Sequence, residues 1–338
     1  MDRRPVFLIA TIGTIGSKQI KIKPAYLISG GASGRNFYNN FNFNFIKIFL
    51  IYFFSTVFVI FLYTLIDISL LDSFNLAFTT ISSGGFIPTN ALYTIIENNL
   101  QIFVLSITLL FPIFNFFLLH DVITRKFSLN DHQEDLHLFL LIIFSTLFFY
   151  FFVIPHEGFV NVLFSIISSV STSGISIYSS NLDLSLFFIL LTIIGGSLIS
   201  TSSGFKYTRI YILLKISYQE IYRLVKPINV IDKNLYNSEV KIDDQDVKIS
   251  FLVFLTFIIS IFILSSILAL DNITFENSFK LSILTLTNTV SSTLYGTENL
   301  NFSDLKNLTK MSLILFMILG KIEIITVIYL IKQFIFRE

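Results

Sequence analysis

The chain has 338 residues, of which 54% are hydrophobic and only 13% charged, and its mean hydropathy is +0.77; a soluble domain carries about 25% charged residues. It has no Cys, which excludes disulfide scaffolds, thiolate metal sites and cysteine nucleophiles. A net charge of +1 gives no electrostatic case for a nucleic-acid partner, and the composition as a whole is that of an integral membrane protein.

A helix needs about 20 apolar residues to cross the hydrocarbon core. Residues 6–15 are apolar but fall short of that, and no signal-peptide cleavage pattern follows them. Long apolar stretches then cover 45–70, 100–122, 136–154, 184–214 (interrupted), 249–270 and 311–334. Shorter ones, too short to span, lie between them at 73–81, 158–170 and 277–286. Each short stretch ends in small polar residues: Ser82-Ser83-Gly84-Gly85-Phe86, Ser171-Thr172-Ser173-Gly174-Ile175 and Thr287-Asn288-Thr289-Val290-Ser291. The unit of long helix, short helix, small polar run and long helix thus recurs three times. The repeats divide the chain at 41–127, 128–217 and 247–338, with a polar cytoplasmic loop over 218–246 that has room for one short helix, and a separate segment over 1–40.

Lys and Arg assign the sides. Residues 86–99, 175–183 and 292–304, which follow the small polar runs, contain neither. The opposite loops hold Lys18, Lys21, Lys23 and Arg35, then Arg125 and Lys126, then Lys206, Arg209, Lys215, Arg223, Lys226, Lys233, Lys241 and Lys248. Those loops are expected in the cytoplasm, with the small polar runs opening outward.

Backbone that leaves helical pairing at membrane depth is tolerated only inside protein or beside water. A short helix entering from outside points its partially negative C-terminus at the membrane centre, and the carbonyls of the next turn can replace the hydration shell of a cation. The alternative is three loops that only dip into the interface; their recurrence on one membrane face favours a pore. No Ser/His/Asp order and no phosphate-cradling Gly loop points to an enzyme.

Ser83-Gly84-Gly85-Phe86, Thr172-Ser173-Gly174, the stretch from Gly195-Gly196-Ser197 to Lys206, and Leu319-Gly320-Lys321-Ile322-Glu323-Ile324 resemble the Trk/Ktr/HKT superfamily of potassium transporters, in particular the bacterial TrkH-type membrane subunit. The resemblance implies an all-α membrane fold of helix–pore-loop–helix repeats around a central cation pathway. It also implies a homodimer in the bilayer of the cytoplasmic (inner) membrane, with a cytosolic nucleotide-binding regulatory subunit of the TrkA kind. No cofactor is implied, only the transported potassium or sodium ion. The ion-filter residues would be Ser83, Gly84, Gly85, Thr172, Ser173, Gly174, Asn288, Thr289, Val290 and Ser291.

Two departures from the family stand out. It has four repeats where three are found here, and residues 6–20 look like the tail of the first repeat. The missing repeat would lie upstream, come from another polypeptide, or mark a non-conducting truncated paralogue with an assembly or regulatory role. Aligned through Asn288, Ser291 takes the place of a filter Gly, which among plant relatives goes with sodium permeation when it occurs in the first loop.

Residues 195–204 interrupt the fourth long stretch with mostly Gly, Ser and Thr, which weakens helical continuity; the alternative is a helix whose hydroxyls bond back to carbonyls one turn earlier. By resemblance this is an intramembrane gate formed by Gly195, Gly196, Ser200, Thr201, Ser202, Ser203 and Gly204, with Lys321 as an electrostatic barrier beside it. Lys321 and Glu323 lie near the centre of the last apolar span, where charges face water or a partner. Two positions apart they point about 200° apart around a helix, so Glu323 is expected to pair elsewhere. Asn115 and His120 match the family as packing or cytoplasmic-mouth residues, and the cluster from Asp131 to His137 reads as a solvated loop in preference to a metal site.

Overall fold

The computed structural model describes residues 41–87, 92–123, 128, 132–154, 157–177, 184–198, 200–225, 234–236, 242–271, 273–297, 302 and 305–322. The expected remnant over 1–40 and Glu323 lie outside these. The fold is all-α, with no β-strand among the described residues.

The order of long helix, short helix and turn is seen three times. Helix α1 (Phe41–Leu65) leads into α2 (Leu70–Ile81), and after the turn come α3 (Asn99–Thr108) and α4 (Phe116–Ile123). Helix α5 (Gln133–Phe148) continues through a π turn (Phe149–Val153) to α6 (Phe159–Val170), then α7 (Ser185–Ile194) and α8 (Tyr207–Val225). Last come α9 (Asp244–Ala269), α10 (Phe275–Leu286) and α11 (Asn307–Ile322). Each long helix packs on its short partner, α1 on α2, α5 on α6 and α9 on α10, while α3 packs on α6 and α11 on both α9 and α10.

The solvation pattern is inverted relative to a water-soluble protein. Helices α1, α5, α9 and α11 turn Phe53, Phe58, Phe144, Phe148, Phe262, Ile263, Ile314 and Leu315 outward. They bury Thr56, Ser145, Thr146, Ser260, Ser265 and Thr309. An apolar exterior over small hydroxyl-bearing contacts suits hydrocarbon as the solvent. Among the described residues, Gln133–Val153 and Asp244–Ala269 are long and apolar enough to cross it.

Capping follows local chemistry. Ser69 opens α2: its Oγ accepts from Asp72 N at 3.2 Å and donates to Asp72 Oδ2 at 2.7 Å. Before α3, Gln101 Oε1 accepts from Glu97 N and Asn98 N, while its Nε2 donates to Ile66 O, tying the start of α3 to the end of α1.

Two expectations are corrected. The stretch 100–122 is not one helix, because α3 stops at Thr108 and turns lead to α4. Pro112 is the cause: it has no N–H to continue the ladder, and its ring crowds the preceding turn. The stretch 218–246 is not a loop throughout, since α8 runs to Val225 and α9 begins at Asp244. Between them Leu235 and Tyr236 are buried, forming with Ile212 and Ile242 a second small core.

Asp271, just past α9, fastens the start of α11. Its carboxylate accepts from Thr309 Oγ1 at 2.6 Å and Lys306 N at 2.9 Å, with Lys306 Nζ at 3.1 Å. The Thr309 hydroxyl first, then the Lys306 amide, hold its pKa down to about 2. A depressed carboxylate contributes stability above its unfolded pKa and loses it as pH falls through the folded value. Asp271→Asn should therefore melt earlier than the parent in detergent at neutral pH by circular dichroism. That gap should close as the pH is lowered toward 2.

Candidate functional site

The three small polar runs share one backbone motif. Ser83, Thr172 and Asn288 are left-handed, with φ of 51°, 57° and 51°. Their amides bond to Thr80 O, Ser169 O and Thr285 O, and the following amides, of Gly84, Ser173 and Thr289, reach back to Thr79 O, Ser168 O and Leu284 O. This is a Schellman-type cap, whose left-handed position is normally Gly. A non-Gly residue there costs about 1–3 kcal/mol, and a β-branched one such as Thr172 is the least comfortable.

The side chains at that position account for the strain. Ser83 Oγ donates to Thr201 O at 3.2 Å, and Thr172 Oγ1 accepts from Ser203 N at 2.9 Å. Asn288 Nδ2 donates to Met317 O in α11 at 3.0 Å. Glycine would relax the turn and lose the bond.

The same hydrogen bonds fix the register between the runs. Gly85 and Gly174 stand opposite Val290, not Ser291, so the alignment that puts Ser291 in a glycine slot is off by one. Both glycines have φ of 73°, whereas neither Val290 nor Ser291 is among the described residues with positive φ. The runs converge. A Cβ on Gly85 would lie 1.9 Å from Ser173 O and 2.7 Å from Val290 Cγ2, and one on Gly174 would lie 2.4 Å from Val290 O. Residues 82–85 and 171–174 are buried throughout, and so is Thr289, while Val290 and Ser291 are half-buried. The C-terminal ends of α2, α6 and α10, with their partial negative charge, thus meet at one place.

Against this place lies the segment 195–204, whose described residues are not helical. Its amides and carbonyls find specific partners. Ser197 N donates to Ile113 O at 2.9 Å and Ser202 N to Pro112 O at 3.0 Å, so the break between α3 and α4 and the break between α7 and α8 satisfy each other. Thr201 Oγ1 donates to Ile81 O at the end of α2, and Gly196 N donates to Ser202 Oγ. Ser200 Oγ donates to Ser197 O at 2.6 Å and lies 2.9 Å from Ser202 Oγ.

Two ammonium groups complete the segment. Lys321 Nζ donates to Thr201 O at 2.9 Å and to Ser203 Oγ at 3.3 Å. Helix α11 comes close enough for this because Gly320 lies against Leu286, where a Cβ would meet Leu286 O at 2.0 Å. Lys206, counted among the basic residues of the cytoplasmic side, also turns its Nζ into the segment. There it donates to Ser197 O, Ser200 O, Ser200 Oγ and Ser202 O at 3.1, 3.4, 3.1 and 2.6 Å. Four oxygens around an ammonium offset the cost of burying its charge.

The cluster expected as a solvated loop instead buries His132, Glu134 and Asp135 at the start of α5, and two of these contribute to the site. Glu134, in the first turn of α5, is buried, and its Oε1 accepts from Leu198 N at 3.0 Å. Beside it, His132 is a structural junction. Its Nε2 is 3.2 Å from Asp121 in α4 and its Nδ1 3.5 Å from Asp135, which also accepts from Asn115 N. Burial works against a charged His132, but Asp135 and Asp121 outweigh it and raise its pKa. Among the described residues no group of three His, Cys, Asp or Glu suits a metal ion. A carboxylate 64 residues before its backbone partner gives no local signal; Pro112 is the readable one.

No family model matches the chain. It is 28% identical over 295 residues to an uncharacterized cation transporter of Methanocaldococcus jannaschii, covering 85% of this chain and 59% of that protein. It is 27% identical over 283 residues to the Trk system potassium uptake protein TrkH of Halomonas elongata, covering 79% and 57%. To TrkG of Escherichia coli it is 29% identical over 290 residues, covering 82% and 58%. The chain therefore spans somewhat under three-fifths of the length of these relatives. The crystal structure of the potassium transporter TrkH from Vibrio parahaemolyticus superposes with a TM-score of 0.74 at 20% identity, over 97% of this chain and 69% of that one.

The bond from Ser203 N to Thr172 can be weighed by substitution. Thr172→Val keeps the shape but leaves a buried amide without its acceptor, which costs about 1–3 kcal/mol. Thr172→Gly loses the same bond but relieves the left-handed strain, so it should melt between Val and the parent. A valine variant as stable as the parent in a detergent melt would show that the bond carries no weight.

Proposed function

Because this membrane protein is of the TrkH type of the Trk superfamily, we propose that it passes a monovalent cation across the cytoplasmic membrane, potassium first and sodium second. The single observation that supports this best is the meeting of three left-handed helix caps over a non-helical segment bearing two ammonium groups. Backbone oxygens of the runs at Ser83–Gly85, Thr172–Gly174 and Asn288–Val290 take over the ion's hydration, aided by the C-terminal ends of three helices. The segment 195–204 is the gate, and Lys321 is a positive barrier that also ties the gate to α11. The membrane potential drives inward passage, worth about 2.3 kcal/mol per charge per 100 mV.

Val290 sets this pathway apart. Where the other two runs have Gly, it puts a branched side chain against Gly85, which narrows the ring of oxygens and aims one carbonyl differently. This replaces the reading based on Ser291. The chain works as a multi-pass protein of the inner membrane, as a homodimer with a cytosolic nucleotide-binding subunit of the TrkA kind.

Rubidium and sodium flux into proteoliposomes holding this chain alone tests the proposal. Rubidium should enter faster than sodium. Gly174→Asp should abolish entry, because any Cβ there collides with Val290 O. Lys321→Ala should raise leak, and Val290→Gly should raise rubidium entry several-fold. Absence of flux in the parent and in Val290→Gly together would favour the assembly role.

A further inference from the structure

Glu134 and Asp135 are neighbours in the first turn of α5, and both are buried. Adjacent helical residues point about 100° apart, so the two carboxyl groups leave α5 in different directions and reach different backbone. Glu134 Oε1 accepts from Leu198 N at 3.0 Å, and Asp135 Oδ1 accepts from Asn115 N at 2.9 Å. Leu198 belongs to the break between α7 and α8, and Asn115 closes the break between α3 and α4. One turn of helix thus holds an amide from each break. An N–H needs only a lone pair, which a carboxyl group offers whether protonated or ionised, so neither bond depends on a charge state.

The two breaks also hold each other. Ser197 N and Ser202 N donate to Ile113 O and Pro112 O, only two and three positions before Asn115. Gly196 lets the backbones come this close, since a Cβ there would lie 2.6 Å from Ile113 O. An Asn115 amide that loses Asp135 has to seek another acceptor. Any shift of the break toward one draws Pro112 O and Ile113 O away from the amides they receive.

We infer that Asp135 is a positioning residue for the segment 195–204, acting through the break at 109–115. Its own hydrogen bond goes to Asn115 and not to the segment. Together with Glu134, which takes the Leu198 amide directly, it makes the first turn of α5 a two-pronged staple across both breaks. Calling the segment a gate rests on the conduction reading above; the staple does not.

Hydrogen exchange of the full chain in detergent reads the staple without ion movement. Asp135→Ala should speed exchange of the Ser197 and Ser202 amides about fivefold, the size of one net hydrogen bond. Asp135→Asn keeps an acceptor oxygen for Asn115 N and gives up only the charge 3.5 Å from His132 Nδ1, so exchange should stay slow. Glu134→Ala should free the Leu198 amide, and Glu134→Gln should leave it protected. Amides of α10 should exchange as in the parent throughout, which general loosening of the bundle would not give. Faster exchange confined to Asn115 and its neighbours in Asp135→Ala overturns the link to the segment. Asp135→Asn exchanging as fast as Asp135→Ala, or equal acceleration in α10, overturns it too. Faster exchange at Ser197 and Ser202 in Asp135→Ala, with a parent that moves no rubidium, supports the staple and overturns conduction instead.

Discussion

A peptide group that leaves its helix inside a membrane must find a partner within the protein, because lipid offers none. The chain leaves helical pairing at residues 109–115 and again at 195–198 and 200–204. The two breaks are placed face to face, so that carbonyls freed around Pro112 receive amides from Ser197 and Ser202. Neither break would be tolerable alone. Their contact fixes where α7 hands over to α8, and hence where Thr201 and Ser203 lie beneath the ends of α2 and α6.

The capping residues follow from the same requirement. A Schellman cap built with Gly would relieve strain at all three helix ends, yet the chain uses Ser83, Thr172 and Asn288. Each spends its side chain on a backbone group of another element, the first two on segment 195–204 and the third on α11. Local strain of about 1–3 kcal/mol per site is exchanged for long-range order: the turns cannot move independently of what lies under them. Where a side chain would instead collide, at Gly85 and Gly174, none is present.

Much of this was legible in the sequence. Hydropathy and the three small polar runs fixed the helix order, and the Gly, Ser and Thr content of 195–204 marked a break. The register of the third run was not legible. Thr287-Asn288-Thr289-Val290-Ser291 has no Gly to anchor an alignment, and only the hydrogen bonds from Asn288 and Thr289 show that Val290 stands opposite Gly174. The bonds of Lys206 were not legible for a physical reason. Charge statistics assign lysines to the cytoplasm by side and say nothing of a flexible stem that curls back to a cluster of carbonyls. Glu134 was read as part of a solvated loop because its partner, Leu198 N, is a backbone group, which no side-chain pattern advertises.

The two ammonium groups on segment 195–204 are not equivalent. Lys206 is joined covalently to the end of the segment it caps and binds oxygens of Ser197, Ser200 and Ser202, so it holds the segment's own shape and travels with it. Lys321 comes from α11 and binds Thr201 and Ser203, so it opposes any motion of the segment relative to that helix. Both bind oxygens of the class that would solvate a passing cation, and each does so at a position where its charge repels one. Under the conduction proposal, the segment is closed by the chain's own cations occupying its acceptors, and opening it requires Lys321 to give up Thr201 O while Lys206 keeps the segment folded. That division of labour explains why one lysine is local in sequence and the other lies more than a hundred residues away.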